Sequence, residues 1–150
     1  MDPFEKSLNH MLVEVFNLIL KYEESVLKKN LNVPLTITET HIIEAIGKQS
    51  DEDATVSGIA SYLQITKPTA TVAIKKLEKK GFIEKIPCEK DGRRTIISLT
   101  DLGKRIERAH YLFHERMVKN ISNQFLEAEK AILLQAVDKL REFFREKVEA

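Results

Sequence analysis

Residues 55–81 read TVSGIASYLQITKPTATVAIKKLEKKG, and their punctuation leaves little freedom of fold. Thr55 and Thr66 are each followed by residues with helical spacing, and a threonine in that place caps a helix by accepting a backbone N–H. Pro68 suits the first turn of the second helix, and Gly81 suits the residue after its end. The spacing therefore predicts two short helices joined by a turn at Gln64-Ile65. Ile59, Ala60 and Leu63 face inward from the first. Ala70, Ala73, Ile74 and Leu77 face inward from the second, leaving Pro68, Val72, Lys75 and Lys79 on the outer side, flanked by Thr69, Thr71 and Lys76.

Two apolar runs follow at once, Phe82–Ile86 and Thr95–Leu99, with CEKDGRR between them. They predict a β-hairpin with a charged tip. Charge at a hairpin tip can serve only to keep an exposed strand edge from aggregating. The charge distribution argues for more. The whole chain carries a net +1, but residues 1–65 carry −5, residues 66–94 carry +5 and residues 95–150 carry +1. The positive charge is thus concentrated on the second short helix and the hairpin, as a phosphate-binding surface requires.

The flanks are helical. Asp2-Pro3-Phe4-Glu5 is a helix start with a capping-box carboxylate. Leu8, Leu12, Val15, Ile19, Tyr22 and Val26 then recur at gaps of four and three, and Asn32-Val33-Pro34 ends the pattern. Thr38 is the expected cap of a second helix carrying Ile42, Ile43 and Ile46 and closed by Gly47. Thr100 caps a fifth helix with Leu102, Ile106, Ala109, Phe113 and Met117 along one side. A sixth runs from Glu127 with Leu133, Val137, Leu140 and Phe144. The fold class is mainly α with a small β-hairpin wing: a winged helix-turn-helix embedded in a helical dimerisation domain. The reading head spans residues 38–99, and the helices of 1–30 and 101–148 serve dimerisation, within one domain of 1–150. Their apolar faces exceed what so small a head needs, which points to a symmetric homodimer.

Composition narrows the function. A hydrophobic content of 43% supports a packed core. No apolar run approaches the roughly 20 residues that span a bilayer, so no membrane partner is expected. The opening MDPFEKSLNH lacks the layout of a signal peptide, and a single cysteine suits a reducing compartment, so a cytoplasmic location is expected. No nucleophile–base spacing, Gly-rich phosphate loop or carboxylate pair suggests an enzyme. Cys88, at the foot of the hairpin, is read as a small packed hydrophobe rather than a redox sensor.

Double-stranded DNA is the partner this arrangement fits. A short helix after a tight turn can lie in a major groove about 12 Å wide. Val72 and the threonine methyls can meet thymine methyls there, while the lysines reach bases and phosphates. The first-turn amides of Lys67 to Thr69 sit where a helix receives a phosphate. Arg93 or Arg94 can enter the adjacent minor groove. Asp91 is read as a brace for the Arg93 guanidinium. The expected DNA-binding set is Thr66, Lys67, Pro68, Thr69, Thr71, Val72, Lys75, Lys76, Lys90, Asp91, Arg93 and Arg94.

Residues 56–106 resemble the MarR family of transcription regulators, most closely at LEKKGFI (77–83), DGRR (91–94) and LTDLG (99–103). The resemblance implies a winged-helix homodimer on pseudo-palindromic operators, usually a repressor, with the wing Asp and Arg of the family falling on Asp91 and Arg93. Val72 departs from the basic or hydroxyl residue of many members, so that position is expected to read a different base. ETHIIEAIGK (39–48) and HYLFHERMVKNI (110–121) are similar to the branch that represses fatty-acid synthesis genes with an acyl-type corepressor, which implies an effector site between the reading head and the long helices.

A zinc-sensing branch offers another effector. His110 and His114 are four residues apart and face one way on a helix. The resemblance to that branch implies a site built from a first-helix carboxylate (Glu23 or Glu24), His41, His110 and His114, a donor set suited to tetrahedral zinc. The ordinary alternative is that these histidines are packed, hydrogen-bonded or solvated. The fatty-acid branch shares them, so the donors alone do not choose the effector. No cofactor is otherwise required. The effector classes left open are a small molecule, an acyl carrier and a metal.

Overall fold

The computed structural model describes residues 1–30, 35–50 and 53–150. The elements run α1 (Pro3–Asn30), α2 (Ile37–Lys48), α3 (Val56–Leu63), α4 (Lys67–Lys79), β1 (Ile83–Pro87), β2 (Thr95–Leu99), α5 (Asp101–Ser122) and α6 (Glu127–Glu149). The expected mainly helical fold with one hairpin is what the chain adopts. The predicted break at 32–34 lies outside the described residues.

Threonine hydroxyls start α3, α4 and α5. Thr55 accepts from the Gly58 N–H at 3.1 Å, Thr66 from Thr69 at 3.3 Å and Thr100 from Gly103 at 3.2 Å. At α1 the Asp2 carboxylate accepts from the Glu5 N–H and the Glu5 carboxylate from the Asp2 N–H, both at 2.8 Å. The cap of α2 differs from expectation. It is Thr36, not Thr38, because only Thr36 has a glutamate three residues on: Thr36 accepts from the Glu39 N–H, and Glu39 accepts from the Thr36 N–H. Gly47 does not close α2 either, since the helix runs on to Lys48.

The chain divides into two compact units, Met1–Phe113 and His114–Ala150. In the first, Ile42, Ile43, Ile46, Ile59, Ala70, Ile74, Leu77, Phe82 and Ile106 form one buried core from α2 to α5. The strands pair antiparallel with Ile83 opposite Leu99 and Pro87 opposite Thr95. Phe82, expected to open the first strand, lies just before it and is fully buried. The Ile97 N–H donates to the Ala54 carbonyl at 2.7 Å, which ties the wing to the start of α3. Gly81 has φ +84°, a left-handed conformation that lets the chain leave α4 and turn into β1.

On α5 the buried positions in this unit are Gly103, Ile106, His110 and Phe113, at helical steps of three and four. Leu102, expected inside, is 38% exposed. The core-facing place goes to Gly103 because the chain passes too close for a side chain: a Cβ there would stand 2.1 Å from the Phe82 carbonyl oxygen. Among the described side chains of α1 only Glu23 and Leu27 are buried, while Phe4, Met11, Val15, Phe16, Leu18 and Tyr22 are more than half exposed. The second unit holds the end of α5 and α6, whose Ile132, Leu134, Val137, Phe143 and Phe144 are likewise exposed. No described helix is long and apolar enough to cross a membrane.

Candidate nucleic-acid interface and buried polar cluster

The two faces of α4 separate as the sequence predicts. Ala70, Ala73, Ile74 and Leu77 are buried, while Pro68, Thr69, Val72, Lys75, Lys76 and Lys79 are exposed. Val72 is 55% exposed, an apolar side chain presented to solvent on the middle of a lysine-bearing face. Beside that face an open groove of about 450 Å³ runs between α4 and the start of α2, lined by Thr38, Glu39, Pro68, Val72 and Lys76 among others. Thr71, by contrast, is half-buried at the margin of the face.

The first turn of α4 offers fewer donors than expected. Pro68 has no N–H, and that of Thr69 is already given to Thr66. The hydroxyls of Thr66 and Thr69 also bond each other at 2.8 Å. Of the three amides named from the sequence, only that of Lys67 points out of the helix without such a bond.

The wing tip is built by its backbone. The Cys88 N–H donates to the Arg94 carbonyl at 2.9 Å, and the Arg94 N–H to the Asp91 carbonyl at 3.0 Å. The Asp91 carboxylate accepts from the backbone N–H of Arg93 at 3.0 Å. That corrects the expected brace: the carboxylate holds the turn rather than the guanidinium, because an acceptor two residues back reaches the near amide first. Lys90, Asp91, Arg93 and Arg94 are all exposed. A groove of about 760 Å³ lies against the hairpin, and half-buried Cys88 lines it with Ile86 and Ile96.

Where α1, α2 and α5 meet, the first unit buries a polar cluster. One oxygen of Glu23 lies 2.5 Å from His110 Nε2 and 3.2 Å from His41 Nε2. The three ligand atoms all lie within 4.8 Å of one another. Glu23 and His110 are 2% and 1% exposed, so the pair is cut off from water. The cluster stacks on an aromatic floor: the His110 and Phe113 rings lie 6.4 Å apart, and Tyr22 and Phe113 5.1 Å. The other carboxylate named from the sequence, Glu24, pairs with Lys28 at 2.8 Å on the surface of α1. His114 is half-buried in the second unit.

Sequence reasoning missed Glu44. Its carboxylate lies 3.1 Å from His110 Nδ1, the ring nitrogen that faces away from Glu23. His110 therefore spans two carboxylates, as a metal-ligating histidine does when an outer carboxylate fixes its ring. Glu44 follows His41 by one helical turn, but that spacing alone does not say that it meets α5. Glu44 also pairs with Lys48 and, by that hydrogen bond, holds the Lys48 pKa above its usual 10.5. That stabilising effect is complete below the ordinary lysine value and is lost only as pH rises through the raised one.

Comparison with known proteins agrees with this architecture. The family model described as the MarR family matches residues 35–95, the span from the start of α2 to the start of β2. The transcriptional regulator AdcR of Streptococcus pyogenes is 32% identical over 118 residues, covering 79% of this chain and 78% of AdcR. The transcriptional regulator ZitR of Lactococcus lactis is 29% identical over 76% of this chain and 79% of its own. Among solved structures, Streptococcus pneumoniae FabT in complex with DNA superposes with a TM-score of 0.88 and 33% identity, covering 95% of this chain and 98% of FabT. An outward lysine face, an adjoining basic wing and these relatives lead to one conclusion: the chain belongs to the MarR family and is a DNA-binding transcription regulator, not an enzyme.

Proposed function

We propose that the protein is a homodimeric repressor that reads pseudo-palindromic operators with α4 and the wing. The observation that carries this is the exposed side of α4, where Val72 stands among Thr69, Lys75 and Lys76 with the basic tip following on the next element. In this reading Val72 meets a thymine methyl, the lysines meet phosphates and Arg93 enters the minor groove. The apolar residues that α1 and α6 leave exposed form the dimer contact, and a two-fold then sets two heads one helical turn of DNA apart, about 34–36 Å. A regulator of this kind works in the cytoplasm.

The direct test is to sequence the DNA that copurifies with the protein and titrate the recovered duplex at rising salt. A steep fall in affinity with salt is expected from release of several counterions. A flat salt response, or no enriched sequence, would instead favour a winged helix that binds protein.

For the effector, control of fatty-acid synthesis genes by an acyl-type ligand is supported by the resemblance carried by segments 39–48 and 110–121. A zinc-responsive repressor is the second reading, favoured by the Glu23–His41–His110 cluster. Two nitrogens and one oxygen fit zinc, whose ligands stand about 2.0–2.2 Å from the ion. Bound there, zinc would replace the hydrogen bonds to Glu23 and tie three helices to one ion. Glu44, 3.1 Å from His110 Nδ1, would be the outer partner that fixes the ring.

The two readings separate in one calorimetric experiment. The protein is titrated with zinc, and with a long-chain acyl group on its carrier, beside a His41→Ala/His110→Ala variant. Zinc uptake by the wild type alone supports the metal reading, and equal uptake by both removes it. Operator affinity changed only by the acyl carrier supports the other.

A further inference from the structure

A buried carboxylate joins the start of α2 to the end of α4. Glu39 is 4% exposed, and its two oxygens lie 2.9 and 3.1 Å from the Lys80 ammonium, just beyond the last residue of α4. The same carboxylate accepts the Thr36 N–H at 3.2 Å. One side chain thus closes the first turn of α2 and holds the last turn of α4. A charge so far from water is tolerated only while its partners stay in place. Among the described residues no side-chain bond ties the N-terminal half of α4 to α2, and an open groove lies beside Pro68 and Val72 there. The orientation of α4 against the core is therefore fixed by a polar bond at one end and by Ala70, Ala73, Ile74 and Leu77 along its buried side.

We propose that Glu39 and Lys80 are positioning residues for DNA recognition: their ion pair sets the angle at which α4 meets the major groove, and neither residue touches DNA. This rests on α4 being the reading helix. The pair sits at the end of α4 remote from Thr66 and Pro68, where a small rotation moves the base-reading residues most. An angle out of register costs base-edge contacts, which need geometry, and spares phosphate attraction, which does not. The pair therefore supports discrimination more than bare affinity.

The test uses the full chain, the operator recovered from bound DNA and an unrelated duplex of equal length, titrated across a range of salt. Glu39→Gln is the incisive variant, because glutamine still completes the capping box and removes only the charge that holds Lys80. Lys80→Met removes the other partner at a side chain one-third exposed, and keeps the test open should Glu39→Gln fail to fold. Both are expected to weaken operator binding about tenfold while leaving the unrelated duplex and the salt slope unchanged. Lys80→Arg, which keeps the charge, is expected to bind like wild type.

Two results overturn the proposal. One is operator affinity untouched by Glu39→Gln. The other is Lys80→Met weakening both duplexes alike and lowering the salt slope by about one, the mark of a lost phosphate contact. Lys75→Ala is the control for the underlying reading. If it weakens binding while Glu39→Gln does not, the pin alone fails. If it too leaves both duplexes untouched, α4 is not the reading helix and both fall.

Discussion

At the scale of single residues, hydroxyls and carboxylates next to the backbone decide where things begin. Thr66 starts the reading helix through the Thr69 N–H. Thr66→Ala should therefore cost about 1 kcal/mol of stability, read from denaturant unfolding, with operator binding measured on the folded fraction. The wing separates geometry from charge in the same way. Lys85 lies on β1 within 3.9 Å of Glu78, while Arg93 stands exposed on a turn held by Asp91. In a gel-shift titration Arg93→Ala should weaken binding about tenfold and Lys85→Ala far less. Equal losses would remove the wing from the interface. Residue-level misreadings share one cause: the sequence shows which side chains are suited to a task, not which one arrives first. Thr38 was the expected cap of α2, but Thr36 has Glu39 three residues on and takes the place. Asp91 suited the Arg93 guanidinium, but its neighbour's amide was nearer.

At the scale of elements, periodicity was a reliable guide and contact with other elements was not. The inner and outer faces of α4 follow from spacing alone, because both lie on one helix. The inner face of α5 did not, because Gly103 lies against the Phe82 carbonyl and displaces Leu102 from the core side. That close approach yields a sharp expectation. Gly103→Ala puts a methyl 2.1 Å from a backbone oxygen, so α5 must shift from the start of β1. The cost should be about 3 kcal/mol, seen as a lower unfolding midpoint, whereas Leu102→Ala at an exposed place should change little. Similarly, Glu23, His41 and His110 were legible as donors from spacing and resemblance, yet Glu44 came into view only when α2 was laid against α5. A residue that acts on another helix leaves no periodic trace of its own.

At the scale of the whole molecule, the unassigned quantity is apolar surface. Phe4, Met11, Val15, Phe16 and Leu18 on α1, and Ile132, Leu134, Val137 and Phe144 on α6, are all exposed, and a monomer in water has no use for so many. Leu134→Glu/Val137→Glu should lower the solution mass from two chains to one in light scattering and abolish tight operator binding, since one head contributes only half the contacts. A wild-type mass of one chain would end the dimer reading. The sequence foretold this surface because its apolar stripes outran the needs of the head. It did not foretell the pairing itself, which depends on the fit between two copies.

The helices of the reading head begin on neutral hydroxyls at Thr36, Thr55 and Thr66, and α5 begins on that of Thr100. A hydroxyl neither titrates nor is screened, so the starts of α3, α4 and α5, which rest on it alone, stay engaged in brine and in mild acid alike. Ions added to the complex then act on the DNA contacts and leave the scaffold's beginnings intact. In such a protein, loosening by salt measures how many phosphates it held.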